Sequence, residues 1–315
     1  MSAAAVEPVR DDDDLAAWVA VHNRVSPTAV STGEVRAYRE ALAGETHLLA
    51  IRDGEAVGAA FAALDPDQGS RGAALAWAAV LPEARGAGAG SSLLAALAGW
   101  VGETGLEAVE GYVAEDDAES LGWAGRRGFA EVGRDSWLAL DLGPIEPPPA
   151  DPPAGVDVVT LAARPELLRR VYEVAREAYP DIPGHEGEME PFDDWVAVDM
   201  SGPNDDPEGI FVALTGAEVV GYSKFHLPQA RPGIAVHDVT GVRRAWRGLG
   251  IAGALKRAQI AWAKERGYER LETWNEERNA PIRKLNERFG YRLAPGRVLV
   301  RGPLFHSARN VLQSD

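Results

Sequence analysis

The chain contains no cysteine, which excludes disulfides, thiolate nucleophiles and thiolate metal sites. Positive charge is scarce as well: 32 lysines and arginines stand against 48 aspartates and glutamates, a formal charge of -16. That balance argues against a nucleic-acid surface or an anionic membrane and leaves a cationic small molecule as the expected partner. No apolar run approaches membrane length, and residues 1–10 lack the basic, apolar pattern of a signal sequence, so the expectation is a soluble cytoplasmic protein. A Walker phosphate site is excluded because no glycine-lysine pair precedes a Ser or Thr. A dinucleotide fingerprint fails on spacing, since residues 85–90 read RGAGAG where G-x-G-x-x-G is needed. No metal is expected.

What the sequence does hold is centred on residues 240–256, TGVRRAWRGLGIAGALK. An apolar, β-branched run ends here, a basic turn follows, and Gly248 and Gly250 open an amphipathic helix. The first amides of a helix have no intrahelical partner and carry the positive end of its dipole, so such a turn suits a pyrophosphate. Glycines remove the Cβ atoms that would keep a phosphate at a distance. Arg247 adds a fixed positive charge at the mouth.

The same block occurs twice. An offset of 162 residues carries Arg85 onto Arg247, Gly88 onto Gly250, Gly90 onto Ala252 and Val80 onto Val242. It also pairs Leu93 with Leu255, Trp100 with Trp262, Gly105 with Gly267, and Gly128-Phe129 with Gly290-Tyr291, without a gap. That register implies internal duplication, and 315 residues suffice for two domains of ordinary size. Between the copies lies GPIEPPPADPPAG, whose prolines suit an extended, semi-rigid connector. The expected division is therefore 1–143, a linker at 144–154, and 155–315. Within the first copy, residues 1–10 read as a loose tail, Asp11 to Asp14 cap a helix, a second helix covers 34–43, and a hairpin turns at Asp53-Gly54 before a strand at 73–80. The second copy repeats this with strands at 156–161, 210–214, 219–227, 234–242 and 270–275, helices at 165–179, 251–266 and 281–289, and closing strand material at 298–304.

The pattern R-x-x-G-x-G/A after a strand, a helix of about fifteen residues, another strand, and a short helix ending in Gly-aromatic resembles the GNAT N-acetyltransferase family. It occurs as Arg85 to Gly90 with Gly128-Phe129 and as Arg247 to Ala252 with Gly290-Tyr291. The segment TWNEERNAPIRKLNERFGY resembles the end of tandem GNAT proteins of the mycothiol-synthase type. The resemblance implies an α/β (α+β) fold of two tandem GNAT domains, each a mixed, mostly antiparallel sheet with splayed central strands flanked by helices. It implies acetyl-CoA as cofactor, with the pantetheine arm along Thr240 and Val242 and the pyrophosphate on Arg247, Gly248, Leu249, Gly250, Ile251 and Ala252. Asn279 matches a cofactor-contacting asparagine and is also placed to cap the helix before Pro281. The first copy's counterparts are Val80, Arg85, Gly86, Gly88, Ala89, Gly90 and Ser91. A neutral amine then attacks the thioester directly, helped by positioning, an oxyanion-stabilising amide and a proton acceptor.

The acceptor matters because a primary amine of pKa about 10 arrives protonated. Along 234–242, strict alternation places Asp238, Thr240 and Val242 on one face and His237 on the other. Asp238 is the first candidate for base or amine-orienting group and His237 the second. A salt-bridged strand carboxylate and a hydrogen-bonded strand histidine are the structural alternatives. Asn286 stands where many family members carry a tyrosine that protonates the leaving thiolate, and an amide orients better than it donates a proton. Tyr291 is expected in the core. In the first copy Ala76, Ala124 and Asp117 replace Asp238, Asn286 and Asn279, so the first domain is expected to be catalytically silent. Residues 185–208 hold Glu186, Glu188, Glu190, Asp193, Asp194, Asp199, Asp205, Asp206 and Glu208 with Phe192 and Trp195, either an amine-attracting surface or a solvated loop. The expected function is acetylation of a small-molecule amine by a monomer with pseudo-dimeric tandem domains, with no nucleic-acid or membrane partner. A non-enzymatic CoA-binding or sensing module is the alternative.

Overall fold

The computed structural model describes residues 4–41, 44–64, 72–149, 151–182, 189–276 and 279–304. In chain order come β1 (Ala5–Pro8), α1 (Asp12–Val25), α2 (Thr32–Ala41), β2 (Glu45–Arg52), β3 (Glu55–Ala63), β4 (Ala73–Val80), α3 (Ala89–Glu103), β5 (Ala108–Ala114), α4 (Ala118–Gly125) and β6 (Ala130–Asp141). The same order then recurs as β7 (Asp157–Thr160), α5 (Leu168–Ala178), α6 (Phe192–Trp195), β8 (Ile210–Thr215), β9 (Glu218–His226), β10 (Ile234–Val242), α7 (Ile251–Glu265), β11 (Arg270–Glu276), α8 (Ala280–Arg288) and β12 (Arg292–Pro303).

Local chemistry accounts for most of these elements. Asp11 caps α1 by accepting from the Asp14 amide at 2.9 Å, and three further aspartates meet the positive end of the helix. The hairpin between β2 and β3 turns on Asp53 at φ 53° and Gly54 at φ 85°, the left-handed pair that matches strand twist. The expected loose tail is a strand: β1 pairs antiparallel with β2, Ala5 opposite Ile51 and Pro8 opposite Leu48. Four residues are too few for a periodic signal, and pairing with an existing edge supplies the order.

The chain forms two compact units, one built on residues up to Arg134 and again from Pro295, the other on Asp135–Ala294. In the first, the sheet β1-β2-β3-β4-β5 is closed by residues 297–303 of β12, with Arg297 opposite Ala114 and Pro303 opposite Ala108. In the second, β7-β8-β9-β10-β11 is closed by residues 135–141 of β6, with Asp141 opposite Arg270 and Asp135 opposite Glu276. Each unit thus takes its sixth strand from the other copy of the duplicated sequence, and the units do not divide at the proline-rich connector as the sequence suggested. Alternation along a strand specifies which face is buried but not which edge it joins.

The connector forms no helix or strand over its described residues, yet it is fastened to α7. Lys264 donates to the carbonyls of Leu142 and Gly143, and Arg257 donates to that of Asp151. The second unit's sheet is covered on one face by Leu255 and Trp262 of α7 over Phe211, Phe225 and Leu271, and on the other by Val171, Tyr172 and Trp195 of α5 and α6 over Val212, Tyr222 and Val239.

Both sheets are antiparallel except between the fourth and fifth strands in chain order of each copy. Parallel pairing of β4 with β5 ends at Leu75 opposite Glu110, and that of β10 with β11 ends at His237 opposite Thr273. Past those points the two strands of each pair separate, as the family resemblance implies. The edge of residues 238–242 that faces away from β9 therefore has no strand partner among the described residues.

Candidate active site

The glycine turn is built alike in both units. Gly248 and Gly250 take φ of 76° and 87°, and Gly86 and Gly88 take 73° and 86°, a left-handed backbone that penalises any side chain. Gly250 is the N-cap of α7 and supplies no side chain to cap it. The first bond of the helix runs from the Ala254 amide to the Gly250 carbonyl at 3.0 Å, so the amides of Ile251, Ala252 and Gly253 have no intrahelical acceptor. Residues 247–250 are exposed, while the Ile251 side chain is buried and can offer a ligand only its backbone. Arg247 donates to the Val242 carbonyl at 3.0 Å and pairs with Asp181 at 2.8 Å. In the first unit Arg85 donates to the Val80 carbonyl at 3.3 Å and pairs with Glu119 at 2.9 Å. This open, uncapped and glycine-lined cradle fits a diphosphate.

Strand β10 departs from the expected alternation. Its pairing with β9 passes from His237 opposite Phe225 to Thr240 opposite Ser223, so three steps on one strand match two on the other. This is a β-bulge at Asp238 and Val239. His237, Thr240 and Val242 consequently share the α7 face, whereas Asp238, Val239 and Gly241 turn to the α5 face. Asp238 is therefore separated from Thr240 and Val242, with which simple period-two counting groups it.

On the α5 face Asp238 joins a cluster around Lys224 of β9. The Lys224 ammonium is buried and meets Asp238 Oδ2 at 2.9 Å, Asp205 Oδ1 at 2.9 Å and the Asp199 carbonyl. Its three protons are thus all engaged. Burial alone would lower its pKa, but the Asp238 and Asp205 carboxylates outweigh burial and hold it above the usual lysine range. Asp238 remains 43% exposed. Tyr179, just after α5, donates to Asp199 Oδ2 at 3.3 Å. Burial, reinforced by the Asp238 charge, pushes the Asp199 carboxyl up to about 6. Burial likewise raises the hydroxyls of Tyr179 and Tyr222, so both remain protonated donors. Lys224 and the two tyrosines are not singled out from the sequence, although a lysine among the mostly apolar residues of VVGYSKF is the signal of a buried, paired charge.

The other candidates lie elsewhere. His237 is buried on the α7 face, with Nδ1 3.1 Å from Gln259 Oε1 and Nε2 bonded to the Tyr291 hydroxyl. Burial, with a smaller contribution from nearby Lys256, holds it well below the usual histidine range. It is a neutral core histidine, and β10 separates it from Asp238. Tyr291 is in the core as expected. Asn286 is wholly buried and donates to Asn275 Oδ1 at 2.8 Å, apart from the Asp238 cluster. Asn279 is the N-cap of α8 by backbone, but its side chain makes no capping bond. Of the acidic stretch, His185, Glu186 and Glu188 lie outside the described residues. Trp195 is wholly buried, and Asp199 and Asp205 turn in toward Lys224.

In the first unit the position of Asp238 is Ala76, and the next residue, Trp77, packs against Trp18 and His22 with ring centroids 5.6 and 4.8 Å apart. Asp117 is committed to capping α4, accepting from the Ser120 amide at 2.9 Å and its hydroxyl at 2.6 Å. Trp123 stands 3.7 Å from where a Cβ on Gly90 would lie, and Arg127 stacks on it while bonding Ser91 at 3.1 Å.

These features coincide with what comparison with known proteins gives. The chain matches the model "Acetyltransferase (GNAT) family" over residues 12–129 and again over 168–291. Its structure is similar to a GCN5-related N-acetyltransferase from Sphaerobacter thermophilus, with TM-score 0.73, 24% identity and 96% of each chain covered. It is also similar to a tandem GNAT protein from the clavulanic acid biosynthesis pathway, with TM-score 0.77, 20% identity and coverage of 96% of this chain and 99% of that one. A GNAT-family acetyltransferase from Colwellia psychrerythraea matches at TM-score 0.63 and 13% identity, covering 96% and 100%. No curated protein matches the sequence. With two family matches that together span most of the sequence and the splayed, glycine-turn fold present in each unit, the chain belongs to the GNAT acetyltransferase family and is an acyltransferase with tandem domains.

Proposed function

We propose that the second unit acetylates the primary amine of a small molecule, using acetyl-CoA, while the first unit performs no chemistry. The observation that carries this reading is the bulged strand β10. It leaves the edge of residues 238–242 unpaired beside the glycine turn and presents the half-exposed Asp238 carboxylate within the same strand.

Acetyl-CoA, when bound, supplies the acyl group as an activated thioester. The residues that would hold it are the amides of Gly248 to Gly253, the Arg247 side chain, the free edge of β10 near Thr240, and Asn279. The first helical amides and the α7 dipole would hold the diphosphate. Asp238, kept in place by Lys224, would orient an ammonium, and the neighbouring carboxylates would draw a cation toward this cluster. In the first unit the equivalent strand carries no carboxylate, and Trp77 packs with Trp18 and His22 beside it.

The test is a thiol-release assay on the full chain with acetyl-CoA and a panel of aliphatic amines. Acetylated amine and free CoA in equal amounts support the reading. CoA binding by calorimetry with no turnover on any amine would leave a binding module instead.

A further inference from the structure

Within the acceptor pocket that the proposed function requires, we infer that Asp199 takes the proton from the incoming ammonium while Asp238 and Tyr222 orient it, and that the acceptor is an aliphatic primary amine with no carboxylate beside its nitrogen.

The argument begins from Lys224. With all three of its protons engaged, it fixes Asp238 by one oxygen and Asp205 by another, and it ties the segment carrying Asp199 to the sheet. Asp238 is thus occupied by a permanent cation. The Asp199 carboxylate instead accepts one hydrogen bond, from the neutral Tyr179 hydroxyl. The groups that face it are Tyr179 after α5, Tyr222 and Lys224 on β9, Asp238 on β10, and Glu190 ahead of α6. The Lys224 ammonium meets the carboxylates of Asp205 and Asp238 but only the backbone carbonyl of Asp199, so the Asp199 carboxylate is not ion-paired to it.

A second observation points to a ligand independently. Tyr222 is wholly buried, and its hydroxyl, close to Tyr179, Asp199 and Asp238, has no partner in hydrogen-bond geometry. A buried hydroxyl without a partner costs about 1–3 kcal/mol, and its oxygen is free to accept from an ammonium. An acceptor bearing a carboxylate next to its amine would set like charge against Asp199 and Asp238, which favours simple aliphatic amines over α-amino acids. The Asp199 carboxyl, raised to about 6, is ionised at neutral pH and more basic than an ordinary carboxylate, as suits a proton acceptor.

In the step assigned to Asp199, one N–H bond of the ammonium breaks, its electron pair stays on nitrogen, and an O–H bond forms on the carboxylate. The freed lone pair makes the C–N bond to the acyl carbon as the C–S bond breaks. The sulfur takes a second proton from nitrogen, and Asp199 returns its own to water.

The inference rests on the second unit being catalytic, so the experiment separates the two ideas. With the full chain and acetyl-CoA, kcat/KM is followed from pH 5 to 9 for aliphatic amines and for α-amino acids. Asp199→Asn is expected to lower kcat/KM about 100-fold at pH 7, to leave the KM for acetyl-CoA unchanged, and to abolish the acid limb near pH 6. Asp238→Asn is expected to raise the KM of the amine and to move the limb to lower pH, because the Asp238 charge helps to raise Asp199, and Asp194→Asn, on the exposed side of α6, to change neither. Tyr179→Phe removes the hydrogen bond that lowers Asp199 and should move the limb to higher pH, which covers the case of a poorly folded Asp199 variant. A limb that survives Asp199→Asn, moves to higher pH with Asp238→Asn, or stays put in Tyr179→Phe overturns the assignment. Wild-type protein that binds CoA and acetylates nothing overturns the proposed function itself. In that event calorimetry of methylammonium binding still tests Asp199, because proton release near pH 6 must be lost in Asp199→Asn.

Discussion

At the residue scale, one partly buried and one wholly buried titratable group give the molecule opposite pH signatures. Asp199 has a carboxyl raised from its ordinary value to about 6, so the folded state binds a proton more readily than the unfolded chain. Its contribution is favourable at the acid end and is lost as pH rises from about 4 through about 6. Asp199→Asn should therefore add roughly 1–2 kcal/mol of stability at pH 7.5 and almost nothing at pH 4, a difference that thermal melts at both values would resolve. Lys256 on α7 is the converse case: it is 1% exposed, lies 5.2 Å from the centre of the Tyr291 ring, and burial lowers it to about 7. Between about 7 and about 10 the unfolded chain holds the extra proton, so stability rises with pH across that window. Lys256→Met keeps the packed stem and should raise stability by about 1–4 kcal/mol at pH 7, with a smaller gain at pH 9.5. An unchanged melting temperature at pH 7 would show that the ammonium is better solvated than its burial indicates.

At the element scale, the glycine turn and the bulge answer to different kinds of sequence signal. The turn is legible because its chemistry is local: Gly248 and Gly250 adopt positive φ, and the helix that follows begins where the glycines end. A β-branched residue at Gly250 meets a backbone strain of about 1–2 kcal/mol and places a methyl group where the diphosphate is proposed to sit. Gly250→Val should therefore weaken CoA binding at least tenfold in calorimetry and abolish turnover, whereas Gly88→Val should leave turnover within about twofold. Loss of turnover from the Gly88 change, in a folded protein, would return chemistry to the first unit. The bulge in β10 has no such signature. Nothing in IAVHDVTGV marks the extra residue, because it is set by how β9 presents Ser223 and Phe225 across the ladder. For that reason counting by twos groups Asp238 with Thr240 and Val242, from which the bulge separates it.

At the scale of the whole molecule, the exchange of sixth strands makes the two halves of the sequence interdependent. Cutting the chain at the connector leaves the first half without residues 297–303, so β5 loses its antiparallel partner from Ala108 to Ala114. The second half loses residues 135–141, the partners of Arg270 to Glu276. An unpaired strand edge of this length favours aggregation. Residues 1–148 expressed alone should be aggregated or protease-sensitive, and co-expression with the remainder should restore protection. A monodisperse, cooperatively melting first half would count against this account.

The sequence by itself determined the duplication, the family, the glycine turns and the order of elements, because each of these depends on neighbours along the chain: turn chemistry, capping and a fixed repeat. It also singled out Asp238 and placed Asp199 in an acidic stretch that could attract an amine, though not the Lys224 hub between them or Tyr222 beside them. The tertiary structure alone decided that His237 is sealed in the core, that Asp238 faces the α5 side, and that each sheet is closed by a strand from the other copy. These outcomes turn on contacts between residues far apart in sequence, such as Lys224 with Asp205 and Asp238 or Arg270 with Asp141. A strand's pattern fixes its buried face, but its partner and its irregularities are settled only when the edges meet.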